Sequence, residues 1–174
     1  HFFNIKENQD ILHIAPNVSE YLFVKNNLNY DNYNTLNLKK FDHIDIVGDI
    51  TNLDIEDNSY TLIIAWHVLE HIKDDKSAIS EMHRVLKTGG NLLLCVPIFP
   101  EENKKTFEIK NADPSSFEEI YGHYDHIRGC GLDYYKRFET FGFKTKTLKV
   151  KELDVSDIFQ YGLSKSHIVW MFTK

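Results

Sequence analysis

The chain has 174 residues, 42% hydrophobic and 26% charged, with a formal net charge of −6. That length suits one domain with a full core, and the acidic balance gives no general attraction to nucleic acid. No apolar run reaches membrane-spanning length and no signal-peptide pattern opens the sequence, so a cytoplasmic chain with no membrane span is expected. Cys95 and Cys130 lie far apart and form no CxxC pair, which points to reduced thiols.

In chain order, Ile11 to Ala15 (ILHIA) reads as a first strand, broken by Pro16 and Asn17, with Ser19 placed to cap a helix. Asn26 to Asn34 is a polar connection. Thr35 to Leu38 makes a weak second strand and His43 to Val47 a short third, with Gly48, Asp49 and Thr51 in the loop that follows. The strongest signal runs from Tyr60 to Pro97. Leu62 to Trp66 and Leu92 to Val96 are short continuous apolar runs. Between them Ala78, Ile79, Met82, Val85 and Leu86 recur at helical spacing, and Lys87, Thr88, Gly89 and Gly90 read as the helix end. This is a right-handed βαβ unit of a parallel sheet covered on both faces.

Glu101 to Ser115 is charged and irregular, a mobile cover over one end of the sheet. Helical signals return at Ser116 to Tyr121 and at Leu132 to Phe141, the latter stopped by Gly142. Phe143 to Val150 alternates with period two, as a strand with one solvated face and an antiparallel or edge partner does; His167 to Phe172 is the last strand. No repeat or heptad appears, so residues 1–174 read as one α/β domain. Ligands of open α/β sheets sit beyond the carboxyl ends of the strands. Here those ends are Ala15 to Ser19, Asn37 to Lys39, Gly48 to Thr51, Trp66 to His71, and Pro97 onward.

His67, Glu70 and His71 are spaced to share a helical face. With His123 or His126 they offer nitrogen and oxygen ligands to a metal, but a metal-free brace of the neighbouring loop is preferred, and no metal is expected. Asp125, His126 and Arg128 form a segment too polar for core. An Asp beside a His holds one tautomer and readies it as a base near neutral pH. Arg128 either holds an anionic substrate or pairs with a carboxylate, and a hydrogen-bonded loop staple is the structural alternative. His83 and Arg84 read as surface groups; Tyr121, Tyr124, Tyr134 and Tyr135 read as pocket wall or core.

Taken together, DITNL (49–53), SYTLII (59–64), HVLEHI (67–72), AISEMHRVLK (78–87), Gly89-Gly90 and Val96-Pro97 resemble the class I S-adenosylmethionine-dependent methyltransferases, and among them the type 11-like subgroup. That subgroup has an LHxAPE first strand and a DHxRxYGxDY segment, matched by Asp125, His126, Arg128, Gly131, Asp133 and Tyr134; Tyr161 to Leu163 is also similar. The resemblance implies a Rossmann-like, mostly parallel seven-stranded sheet with an antiparallel C-terminal strand and helices on both faces. It implies S-adenosyl-L-methionine as cofactor and methyl transfer to an oxygen or nitrogen of a small-molecule acceptor, such as a sugar or lipid precursor.

Cofactor contacts are implied at Ala15, Pro16, Asn17, Asn37, Asp49, Ile50, Trp66 and His67. Asp49 would meet the adenine amino group with Ile50 beside the ring; its other role is that of a turn residue. Departures sit in the first loop. His13, Ala15, Asn17 and Ser19 stand where the broad class has an acidic residue and G-x-G-x-G, and no glycine precedes Gly48. Asn37 stands where an acidic residue usually binds both ribose hydroxyls. His126 is the first candidate base, with His71 and His67 behind it and Asp125 as partner. An N-terminal part of the family pattern is missing or trimmed, and His1 reads as a tag remnant. The alternative is a non-catalytic domain of the same fold with weak or no cofactor binding.

Overall fold

The computed structural model describes residues 8–153 and 167–174; the similarity noted at Tyr161 to Leu163 lies outside them. In chain order the elements are β1 (Gln9–Ile14), α1 (Val18–Asn27), β2 (Tyr30–Asn37), β3 (Ile46–Val47), β4 (Tyr60–Trp66), α2 (Asp75–Val85), β5 (Leu86–Cys95), α3 (Phe117–Tyr121), α4 (Tyr135–Glu139), β6 (Lys144–Lys149) and β7 (Ile168–Thr173). One sheet carries the strands in the order β3-β2-β1-β4-β5-β7-β6. β1, β2, β3, β4 and β5 pair in parallel, while β7 runs antiparallel to both β5 and β6. The expected reversed last strand is therefore present.

Period-two geometry explains why the central strands are apolar throughout. Leu12, Ile14, Ile63, Ala65, Leu92 and Leu94 face one side and pack with Ala78, Ile79 and Met82 of α2 and Phe138 of α4. Ile11, Leu62, Ile64 and Leu93 face the other side, toward Val24 of α1. Helices thus cover both faces, and burying each such Leu or Ile contributes roughly 1.5–3 kcal/mol.

Several boundaries differ from expectation. Asn17, not Ser19, caps α1: its Oδ1 accepts from the Glu20 amide at 2.9 Å while Glu20 Oε2 accepts from the Asn17 amide at 3.0 Å. β2 begins at Tyr30, inside the stretch expected to be loop, because parallel pairing with β1 overrides the low strand propensity of its asparagines. Gly89 and Gly90 do not end the helix. α2 stops at Val85, and the glycines lie within β5, where Gly89 takes φ 77° and its amide donates to the Lys174 carbonyl. Gly142, at φ 93°, does follow α4 as expected. Glu101 to Ser115 is tied down: Phe107 and Gly129 exchange backbone hydrogen bonds, and Asp133 Oδ1 accepts from the amide and hydroxyl of Thr106.

His13, in the middle of β1, is fully buried with Nδ1 2.9 Å from the Tyr33 hydroxyl. Burial pushes its imidazole down to about 4 from the usual 6.5. The unfolded chain therefore binds a proton between those values that the folded chain refuses. We expect stability to fall by roughly 3 kcal/mol from this residue as pH drops through that window. Urea unfolding across it should show the slope in the parent chain and its loss in His13→Leu; an unchanged slope would place the effect elsewhere.

Candidate functional site

A cavity of about 170 Å³ opens at the carboxyl ends of β1, β2, β3 and β4, where the strand order reverses. Its wall combines Ile14, Ala15, Leu36, Asn37, Leu38, Gly48 and Ile50 with His67, Val68, His71 and Ile72. Two of these residues hold backbone conformations that side chains disfavour: Ala15 at φ 49° and His67 at φ 54°. Each is the first residue beyond its strand, and each is pinned by the next strand. The Ala15 amide donates to the Leu36 carbonyl at 2.6 Å and the His67 amide to the Cys95 carbonyl at 2.9 Å. Such turns let the chain leave β1 and β4 sharply, and strain of this kind gathers at functional sites.

Of the residues implied to touch a cofactor, Ala15, Asn37, Ile50 and His67 line this cavity. Four do not. Pro16 is turned aside, with its carbonyl 2.9 Å from His43 Nε2, and Asn17 is committed to capping α1. Asp49 is exposed, and its carboxylate accepts from the Thr51 amide and hydroxyl at 2.8 Å, the turn role. Trp66 packs on the α1 face of the sheet, its ring edge-on to His13. Neither Pro16 nor Asn17 fills the cavity, and among the described residues no carboxylate lines it.

The loop from β4 to α2 carries the histidines. Leu69 to His71 form one 3-10 turn, so His67 lies outside the helical face expected of it. The Glu70 side chain is fully buried. Its Oε1 lies 3.4 Å from His67 Nδ1 and 3.9 Å from His71 Nε2. The Cys95 sulfur, 4.0 Å from Nε2, and then the Glu70 carboxylate push the His67 imidazole up to about 10, which favours its protonated form. His71 lines the cavity; its Nδ1 is 3.2 Å from the Asp125 carbonyl. His126 does not line it. Its ring stands edge-on behind His71 at 4.9 Å, with Nδ1 3.3 Å from the Tyr121 carbonyl. Burial lowers its pKa, since desolvation disfavours the charged ring. Against desolvation, the hydrogen bond with His123 Nδ1 holds the Asp125 carboxyl below its usual range.

Arg128 meets carboxylates and not the cavity. Its buried guanidinium donates to Glu108 Oε1 at 2.9 Å, to the Leu69 carbonyl and to the Lys73 carbonyl at 3.3 Å, and lies 3.4 Å from Asp75. Arg137 joins both acids, and the Tyr134 hydroxyl donates to Asp75 at 2.9 Å. Of the tyrosines read as pocket wall or core, Tyr121 and Tyr134 are core and Tyr124 is exposed. The sequence offered little sign of Asp75 or Glu108, since their arginine partners lie 20 to 62 residues away.

If Ala15 is strained as its φ indicates, Ala15→Gly should raise stability by up to about 1 kcal/mol, less the extra chain entropy of glycine. A urea midpoint below that of the parent chain would contradict this.

Comparison with known proteins follows the same geometry. Residues 14–94 match the family model described as a methyltransferase domain. A 77-residue stretch is 35% identical to demethylmenaquinone methyltransferase of Staphylococcus epidermidis, covering 44% of this chain and 27% of that protein. The corresponding protein of Chlamydia caviae is 38% identical over 58 residues, 33% of this chain and 25% of its own length. The chain thus spans about a quarter of the length of these curated relatives. An S-adenosylmethionine-dependent methyltransferase from Mesorhizobium loti superposes with a TM-score of 0.70 at 10% identity, over 97% of this chain and 92% of that one. Phosphoethanolamine N-methyltransferase 2 of Haemonchus contortus, solved with S-adenosyl-L-methionine, gives 0.65 at 15% identity over 99% of this chain and 50% of that one. The chain therefore carries the class I methyltransferase fold, and its segment 14–94 is similar to the methyltransferase domain family.

Proposed function

We propose that the chain is an S-adenosylmethionine-dependent methyltransferase acting on an oxygen or nitrogen of a small molecule, with sugar and lipid precursors as the candidate acceptors. The carrying observation is the cavity at the carboxyl ends of β1 to β4, bounded by the left-handed turns at Ala15 and His67. Its residues suit the cofactor. The Ala15 turn does the work expected of glycine, and Asn37 stands at the end of β2 with a carboxamide that both donates and accepts toward hydroxyls. Leu36, Leu38 and Ile50 give an apolar wall against which a flat ring can lie.

When bound, S-adenosylmethionine supplies a methyl group already activated on a sulfonium. The protein's part is then to align the acceptor and exclude water, and the apolar walls of Val68 and Ile72 do the latter. In its protonated form His67 favours an anionic group at the cavity wall. An acceptor that loses a proton on attack would need a base, and His71, backed by His126 and Asp125, stands nearest the cavity. His126, the first candidate from the sequence, would act through His71 and not directly.

One observation favours the rival, a non-catalytic domain: the cavity has a neutral Asn37 where charge would strengthen ribose binding. Calorimetric titration with S-adenosylhomocysteine separates the two. We expect binding, weakened about fivefold in Asn37→Ala, the worth of one neutral hydrogen bond of about 1 kcal/mol, and tightened in Asn37→Asp. No heat at millimolar ligand, for parent and Asn37→Asp alike, would support the non-catalytic domain.

A further inference from the structure

The Glu70 carboxylate has no accessible surface, and neither of its oxygens has a hydrogen-bond partner among the described residues. Buried carboxylates seldom go without one, because desolvating such a group is costly. Its charge partner is the His67 imidazole, with Nδ1 at 3.4 Å, and His71 Nε2 stands at 3.9 Å. Around it the two neighbouring imidazoles are arranged alike. Nδ1 of His71 lies against the Asp125 carbonyl at 3.2 Å, and Nδ1 of His126 against the Tyr121 carbonyl at 3.3 Å. A carbonyl only accepts, so each ring carries its proton on Nδ1 and its lone pair on Nε2 when neutral. One ligand-capable atom from each of Glu70, His71 and His126 lies within 4.8 Å of the other two.

We propose that Glu70, His71 and His126 form a binding site for a divalent first-row transition-metal ion of the zinc class. Two imidazole nitrogens and one carboxylate oxygen suit such an ion and leave a coordination position open. Ligands around a tetrahedral zinc sit ~3.4 Å apart, so closure needs side-chain movements of about 1 Å. The carbonyls on the two Nδ1 atoms supply the outer contacts that orient histidine ligands. His123, Asp125 and His126 also cluster, but His123 and Asp125 are exposed and Asp125 already accepts from His123. The full burial of the Glu70 carboxylate, which has no hydrogen bond among the described residues, selects the first set over this one.

His71 also lines the cavity, which places the site at the cavity wall. With the ion in place, His71 and His126 ligate instead of taking a proton, and an acceptor oxygen on the open position would be acidified by the metal. That consequence rests on the methyl-transfer proposal. The site itself does not.

The test uses chain freed of metal and then given zinc, with bound zinc measured after gel filtration and thermal unfolding followed with and without the ion. We expect one zinc per chain, a zinc-dependent rise in Tm, and loss of both in Glu70→Gln and His126→Ala, with affinity down by at least about tenfold. His123→Ala should bind as the parent does. Cobalt(II) in the parent chain should give the visible absorption of a low-coordinate nitrogen-oxygen site. If Glu70→Gln fails to fold, His126→Ala and the cobalt spectrum decide. A parent chain that takes up no zinc, or variants that bind it equally well, would overturn the site. Either result leaves S-adenosylhomocysteine binding, read without metal, as a separate question.

Discussion

A buried guanidinium holds the working end of this molecule together. Arg128 has no exposed side-chain surface, and a charge in that position is tolerable only when its donors are met. They are met by Glu108 and by the carbonyls of Leu69 and Lys73, which bracket the loop between β4 and α2. The Ile127 amide adds a bond to the Glu70 carbonyl. The loop after β4 is thereby stapled to the segment from Tyr121 to Gly131, which brings His71 and His126 into contact although 55 residues separate them in sequence. Arg137 and Tyr134 extend the staple from the α4 region to Asp75, the first residue of α2, and to Glu108.

From that constraint the cavity follows. The loop leaves β4 through the left-handed His67, while the chain leaves β1 through the left-handed Ala15. Parallel pairing of β1 with β2 and of β4 with β5 supplies the carbonyls that hold both turns. The glycines expected of such a loop are absent, and backbone strain stands in for them. Chemically the result is a mostly apolar wall that also bears His67, His71 and the neutral amide of Asn37.

How much of this was legible in the sequence depended on how local its cause was. The βαβ unit from Tyr60 to Pro97 was plain, since continuous apolar strands and a helical stripe are written in neighbouring residues. The start of β2 was hidden because Tyr30 to Asn34 becomes strand only through its pairing with β1. Gly89 and Gly90 misled because glycines that usually end helices here bend a strand. In the site, Ala15, Asn37, Ile50, His67 and His71 were gathered as strand-end logic suggests. Pro16, Asn17, Asp49 and Trp66 were not, because a cap, a turn and the opposite face of the sheet claimed them. The roles of Arg128, Asp75 and Glu108 lay in contacts across long stretches of chain, which periodicity does not record.

The central claim is that the ligand sits between the ends of β1, β2 and β4, against the loop that Arg128 holds. Amide hydrogen exchange with and without S-adenosylhomocysteine reads that position directly. Added protection should concentrate at residues 14–17, 36–38 and 66–72. Protection confined to other segments, while the ligand demonstrably binds, would contradict the account.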